Sequence, residues 1–490
     1  MSASNSVCVQ AEHRLNYVNG DWRPAESQQT RLNVNPADFS DDLGEFVESG
    51  GADADRAVGA AMLAQADWQD IGPVERARYL RAAGRLLGER SERIAGAITR
   101  EQGKLLDEAR GEVAQAGAIL EFTAGEASHL SGTSTSAEDN RTWAMKFRRP
   151  IGVVGLISPW NFPLAIPMGK VAPALLSGCT AVLKPSPYTP LTSALLIDLF
   201  HDVGLPAGVL NLIQGDVAAG EALVANPQVA GISFTGSYAV GAAIHSRGAH
   251  RILRTRLEVG GKNAVIILDD ADLSRAVDAV VSGAFGQAGQ RCSATSRVIV
   301  DGRIKREFLN LLVPRVAGLR VGAGFDPAAQ IGPVVDENRM HACLRAVAKA
   351  REDGAEVLTG GFRITEGLPE GCYVAPTILT DVAWDSELAH EEGVGPVLSV
   401  IEADGFDDAL RIANSVRYGR SETVFTQSPA RMYDAVERLE AGMLHINRSG
   451  VDAYAHLPHV GTKTSQYGSR ECSPQVWDFY TEWRSACLSF

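Results

Sequence analysis

The tract Gly286-Gln287-Ala288-Gly289-Gln290-Arg291-Cys292-Ser293-Ala294 sets a cysteine behind two glycines and beside an arginine. Thiol chemistry needs a backbone open to close approach and a nearby positive charge, and Gly286, Gly289 and Arg291 are placed to supply them. A lone cysteine is more often a small buried hydrophobe, so Cys292 gains weight only in company. Leu257-Glu258-Val259-Gly260-Gly261-Lys262-Asn263 puts a carboxylate at a strand end beside a glycine pair. Such a glutamate is usually solvated; partly buried, it can act as a general base. Trp160-Asn161-Phe162-Pro163 holds an amide in a stiff aromatic loop, where Asn161 could donate to an oxyanion or could simply be a turn residue. Phe234-Thr235-Gly236-Ser237-Tyr238-Ala239-Val240-Gly241 places glycines five apart after a strand and at a helix start. Backbone amides and the helix dipole can meet a phosphate there, although the pattern is not G-x-G-x-x-G and a glycine turn alone is more often a tight connection.

These groups need a framework to hold them. The chain has 490 residues and a net charge of −13, with 45% hydrophobic and 21% charged residues. That composition describes a globular protein of roughly two to four domains. The acidic balance argues against nucleic acid or an anionic membrane as partner. Cysteines at 8, 179, 292, 343, 372, 472 and 487 show neither a disulfide framework nor the paired Cys/His spacing of a zinc site, so no metal is expected. Residues 1–15 are polar without the apolar stretch of a signal peptide, and no run approaches the ~18 apolar residues of a membrane span. The expectation is a soluble protein of the reducing cytoplasm.

From Ala52 to about residue 124, Ala, Leu, Arg and Glu recur at helical spacing, as in 77–83 and 94–101. Short strands are expected near residues 16–18. Residues 131–142 are polar and Ser/Thr-rich, an exposed excursion. The rhythm then becomes strand, loop, helix: strands at 152–157, 181–184, 208–213 and 231–235 alternate with helices at 191–200 and 218–225. Buried strands alternating with helices predict a parallel, doubly wound sheet. A second series from 263–268 to about Phe425 predicts a second α/β domain. The aromatic C-terminal stretch with Trp477, Phe479, Tyr480 and Trp483 reads as an edge or interface element.

Taken in chain order, Trp160-Asn161-Phe162-Pro163, Lys184-Pro185-Ser186, Phe234-Thr235-Gly236-Ser237, Leu257-Glu258-Val259-Gly260-Gly261-Lys262-Asn263 and Gly289-Gln290-Arg291-Cys292 together resemble the aldehyde dehydrogenase superfamily. The likeness runs from Asn16, through Glu391-Glu392-Gly393-Val394-Gly395-Pro396-Val397, to Gly468-Ser469-Arg470-Glu471. Ala165-Ile166-Pro167, Gly450-Val451-Asp452 and Tyr467-Gly468-Ser469-Arg470-Glu471 look most like α-ketoglutarate semialdehyde dehydrogenases. The resemblance implies an α/β fold with a Rossmann-like cofactor domain (1–125 and 146–256, with a return at 447–466) and an α/β catalytic domain (257–446). A small β oligomerisation arm (126–145 and 467–490) would pair members as homodimers or homotetramers.

The resemblance also implies NAD or NADP as cofactor and a small-molecule aldehyde as substrate. Cys292 would attack the aldehyde to form a thiohemiacetal, with the oxyanion held by Asn161 and the Cys292 amide; hydride transfer would leave a thioester. Glu258 would activate the hydrolytic water, and Lys170 would support the site. Lys184 and Ser186 would contact the adenosine ribose, Ser237 the pyrophosphate and Glu392 the nicotinamide ribose. Ile157, Ser158, Pro159, Trp160, Gly220, Phe234, Thr235, Gly236, Val240, Val259, Gly260 and Val394 would complete the cofactor cleft.

Some positions depart from the family pattern. Val394 stands where an aromatic Phe is usual, so the nicotinamide should be held less firmly. Pro458-His459-Val460-Gly461 replaces the family's Pro-Phe-Gly-Gly. Pro187 stands where NAD-preferring members often carry a glutamate, so a 2′-phosphate would not be repelled and NADP stays open. These changes keep a catalytically silent structural member in view, although Cys292, Glu258 and Asn161 argue against it. A CoA-acylating enzyme would lack the base that Glu258 supplies. Arg291, Arg297, Arg448, His456 and His459 fall in or beside segments that surround the substrate funnel in this family. Arg291, Arg448 and His459 are the candidate contacts for a distal carboxylate, with Arg297 reading equally as a structural partner of the catalytic loop. A short ω-carboxy aldehyde is the expected substrate, and an aromatic or simple aliphatic aldehyde the alternative.

Overall fold

The computed structural model describes residues 11–130, 132–451 and 454–489. Residues 1–10 with their polar start and Cys8, Ser131 of the polar excursion, Asp452 of the Gly450-Val451-Asp452 tract, Ala453 and Phe490 lie outside the described residues.

Strands Val153–Ile157 and Thr180–Lys184 are buried at every residue, as parallel strands covered on both faces must be. Side-chain alternation divides them between two cores. Val154, Leu156, Ala181 and Leu183 pack with helices Ala165–Ser177 and Pro190–Asp202. Val153, Ile157 and Val182 face the other way, with Ile232 and Phe234, against helices Gly51–Asp70 and Val217–Ala225.

The first sheet runs in the order Asp21–Arg23, Asn16–Val18, Leu210–Leu212, Thr180–Lys184, Val153–Ile157, Gly231–Thr235, Arg254–Glu258, Gln466–Tyr467. The five strands from Leu210–Leu212 to Arg254–Glu258 are parallel, and both flanks are antiparallel. From Val153–Ile157 the chain first builds outward on one side, then returns to add Gly231–Thr235 on the other. That reversal is the switch point where ligands enter doubly wound sheets, beyond the carboxyl ends of the strands.

The second sheet orders Glu356–Thr359, Thr377–Thr380, Val397–Ala403, Thr295–Asp301, Asn263–Ile267, Ser421–Phe425, Met443–Ile446. All its neighbours are parallel except the Glu356–Thr359 edge. The chain passes from one sheet to the other between Glu258 and Asn263, which brings the two chemistry-bearing tracts together.

Thr133–Ser136, Thr142–Pro150 and Thr481–Ser489 form a three-stranded antiparallel sheet. Its composition corrects the expected arm boundaries. Strand Thr142–Pro150 continues past 145, and only Thr481–Ser489 of the C-terminal segment joins it. Gln466–Tyr467 pairs with Arg254–Glu258, while Val476, Trp477, Phe479 and Tyr480 are buried in the core of the first domain. Large aromatic side chains are stabilised more by that burial than they would be in an exposed ribbon. No helix of the described residues is long and apolar enough to cross a membrane.

Candidate active site

A cleft of ≈ 1240 Å³ opens at the switch point, between the ends of the two sheets. Ile157, Ser158, Pro159, Trp160, Lys184, Ser186, Gly220, Phe234, Thr235, Gly236, Ser237, Val240, Val259, Gly260, Glu392 and Val394 all line it. Ser237 caps helix Tyr238–Ala249, its hydroxyl accepting from the Val240 amide at 3.5 Å. The helix start therefore presents amides and the positive end of its dipole to the cleft.

Gly236 is required locally, because a Cβ there would collide with the Phe234 ring. Gly260 packs against the Glu392 carboxylate in the same way. Ser158 Oγ and Thr235 Oγ1 are buried without a hydrogen-bond partner among the described residues. Lys184 Nζ donates to the Gly215 carbonyl at 2.9 Å, and burial pulls its pKa down to about 8. Burial also raises the Glu392 carboxyl, against the pull of Arg339, Arg420 and Lys262. Unpartnered hydroxyls, a glycine cradle at a helix start and a lysine at a strand end fit a dinucleotide.

Cys292 sits half-buried in the same cleft. After helix Leu273–Phe285 the chain runs through Gln287, Ala288 and Gly289 at φ 51, 53 and 67. A Cβ on Gly289 would strike the Gly395 carbonyl, so the last of these three left-handed positions must be glycine. Asn263 Nδ2 then fixes the loop, donating to the carbonyls of Cys292 and Ala294 at 2.9 Å each. Burial raises the thiol pKa; Arg420 opposes that, and Glu258, Glu392 and Glu471 reinforce it. The cation favouring the thiolate is thus Arg420, just before strand Ser421–Phe425 of the second sheet. The guanidinium of the neighbouring Arg291, expected to do this, lies by Gly286 on the side of Glu108.

Asn161 donates from Nδ2 to the Gln290 carbonyl at 3.1 Å, which brings the amide against the cysteine loop. Its own loop is held from behind. Lys104 Nζ bonds the Asn161 carbonyl at 2.9 Å and the Glu112 carboxylate at 2.6 Å, with both charged side chains fully buried. Glu112 Oε1 accepts from the amides of Leu164 and Ala165, at 2.8 and 3.1 Å, and so caps helix Ala165–Ser177.

Glu258 ends its strand in a buried position and accepts from Arg420 Nη2 at 3.0 Å. Its Oε1 has no hydrogen-bond partner among the described residues. Burial raises its pKa to about 7, against Arg420 and with help from Glu471. Lys170 does not point at Cys292. It bonds Glu471 at 2.6 Å and Ser233 Oγ at 3.0 Å, while Arg256 holds the same Glu471 oxygen at 3.1 Å. Against the upward push of burial, Lys170 and Arg256 keep the Glu471 carboxyl below the usual range.

The aldehyde dehydrogenase family profile matches residues 22–486. The chain belongs to the aldehyde dehydrogenase family. It is similar to the α-ketoglutaric semialdehyde dehydrogenase of Bacillus subtilis (strain 168), 39% identical over 478 residues, covering 97% of this chain and 98% of the relative. An α-ketoglutarate semialdehyde dehydrogenase of Haloferax volcanii is 37% identical, with 95% and 97% covered. The solved structure of Staphylococcus aureus betaine aldehyde dehydrogenase with NAD+ superposes with a TM-score of 0.94 at 31% identity, covering 97% and 95%. This aldehyde dehydrogenase is accordingly an NAD(P)-dependent oxidoreductase.

The dehydrogenase does not gather all the expected substrate contacts. Arg291 and His459 line the cleft. Arg448 is exposed, donates to the Tyr454 hydroxyl at 2.6 Å and is not among the cleft-lining residues. His456 is likewise exposed, its ring 5.7 Å from Tyr454. Arg297 is buried and spends its donors on the carbonyls of Lys262, Ile412 and Ala413, the structural of its two readings. Lys104, Glu112, Arg256 and Arg420 were not signalled by any motif. Glu471 lay inside a tract read only for its likeness.

Proposed function

We propose that this dehydrogenase oxidises a short aldehyde carrying a distal carboxylate, through a thioester on Cys292 that Glu258 helps to hydrolyse. The observation that carries the reading is the buried Oε1 of Glu258, without a hydrogen-bond partner among the described residues, in the same cleft as Cys292. A carboxyl with a pKa near 7 is poised to take a proton from water at neutral pH. Bound in the cleft, the nicotinamide would receive the hydride. Asn161 Nδ2 and the Cys292 amide would hold the oxyanion, and Lys170 with Glu471 would set the field around Glu258.

The carboxylate-bearing substrate draws support from the two semialdehyde dehydrogenases above and from Arg291, which lines the same cleft. A charge-assisted contact would contribute about 1.5–3 kcal/mol. Both coenzymes fit the reading. Pro187 lines the cleft, and the nearby carboxylates Asp216 and Glu221 are already paired, with Arg31 and Arg247, at 3.0 Å each. The three-stranded arm, with exposed Trp143, Trp483 and Leu488, would pair subunits into a homodimer or homotetramer. Unpaired thiols at the six described cysteines suit the cytoplasm.

The test is a panel of aldehydes assayed with NAD and NADP. A short ω-carboxy aldehyde should exceed its uncharged analogue of equal length by at least about tenfold in kcat/KM, and Arg291→Ala should shrink that ratio. Preference for simple alkyl or aromatic aldehydes would sink the substrate reading.

A further inference from the structure

Where the family pattern carries an aromatic ring, this chain places an imidazole against its nucleophile. His459 Nε2 lies 3.8 Å from Cys292 Sγ, within hydrogen-bonding reach of a thiol, across 167 positions of sequence. The main chain at this point is fixed by the His459 amide, which donates to the Glu471 carbonyl at 3.0 Å. We propose that His459 is a catalytic base for the first step, taking the Cys292 thiol proton as the sulfur attacks the aldehyde. The inference rests on Cys292 being the nucleophile.

Burial, then Arg420 and Lys170, push the imidazole down to about 4, with Glu471 opposing, so it is neutral at pH 7 and its Nε2 lone pair can face the thiol. Such a base cannot strip a resting thiol, whose own pKa is raised by burial. It can act while the carbon–sulfur bond forms, because the bonding sulfur becomes a far stronger acid than imidazolium. A base whose strength lies between those two extremes gains from concerted transfer.

In the attack, the sulfur bonds the carbonyl carbon, the carbonyl π pair moves to oxygen, and the thiol proton passes to Nε2. After the carbon has given its hydride to the nicotinamide, water adds to the thioester and its proton goes to Glu258. Collapse then breaks the carbon–sulfur bond, and the departing sulfur recovers its proton from His459. One proton, carried by Glu258, leaves with the acid.

The test compares wild type with His459→Phe and His459→Gln, following both the burst of reduced coenzyme and iodoacetamide labelling of Cys292 in coenzyme-free enzyme. Wild-type rates should change little between about pH 6 and 9. Both variants should slow at least about tenfold at pH 7, climb about tenfold per pH unit and converge with wild type once the thiolate forms. Equal losses at every pH, or none, would overturn the proposal. If the Phe variant does not fold, the Gln variant decides alone. A surviving burst in Cys292→Ala would instead remove the nucleophile assignment.

Discussion

Arg420 Nη2 donates to Glu258 Oε2 at 3.0 Å with both side chains buried, and it leaves Glu258 Oε1 without a partner among the described residues. A bidentate arginine would hold the carboxylate ionised and make it a poor base. Here the Arg420 hydrogen bond and the opposite charges of Arg420 and Arg256 only partly offset burial and the Glu471 carboxylate, and the pKa settles near 7.

The first prediction concerns pH. The basic form of Glu258 is the carboxylate, populated above its raised pKa, so hydrolysis-limited turnover should climb about tenfold per unit below pH 7 and level off above it. Glu258→Gln should keep a fast burst of reduced coenzyme but lose about 10²–10⁴ in steady turnover. Stopped-flow and steady-state assays separate the phases; equal losses in both would contradict the assigned role.

Cys292→Ala should abolish oxidation while leaving NAD affinity within about twofold. The residues proposed to cradle the coenzyme are Phe234, Gly236, Ser237, Lys184 and Gly260, whereas the hydrogen-bonding neighbour of the thiol is His459. Coenzyme titration by fluorescence quenching alongside an activity assay checks both halves.

Lys104→Met leaves Glu112 buried without its cation and removes the donor to the Asn161 carbonyl. Breaking a buried pair from one side costs about 3–5 kcal/mol, so the urea midpoint should fall markedly. The burst should slow as well, because the Asn161 loop loses its anchor. An unchanged midpoint would show that water reaches the pair.

NADP should serve within about two orders of magnitude of NAD in kcat/KM, a gap of roughly 2.7 kcal/mol. Pro187→Glu should swing the ratio toward NAD by placing a carboxylate where a 2′-phosphate would lie. A wild type inert with NADP would mean that Asp216 or Glu221, despite their arginine partners, excludes the phosphate.

Much of the framework was written in local sequence. Buried strands such as Val153–Ile157 and Gly231–Thr235 are set by short runs of apolar residues, and Gly236, Gly260 and Gly289 mark the places where the backbone admits no side chain. Cys292, Glu258 and Asn161 were each weak candidates alone and took their expected roles from the ordered likeness to the aldehyde dehydrogenase superfamily. The chemical state of those groups was not local. Arg420 reaches Glu258 across 162 positions, Lys170 reaches Glu471 across 301, and His459 meets Cys292 across 167. The same holds for the C-terminal segment, whose aromatic residues looked like an interface until Trp477, Phe479 and Tyr480 packed into the first core. Composition and spacing determined which elements form, and the ordered motifs singled out candidate reacting residues through their likeness to a known family. Only the tertiary structure decided their burial and their charged neighbours, because desolvation and Coulomb interactions depend on distance in space and not along the chain.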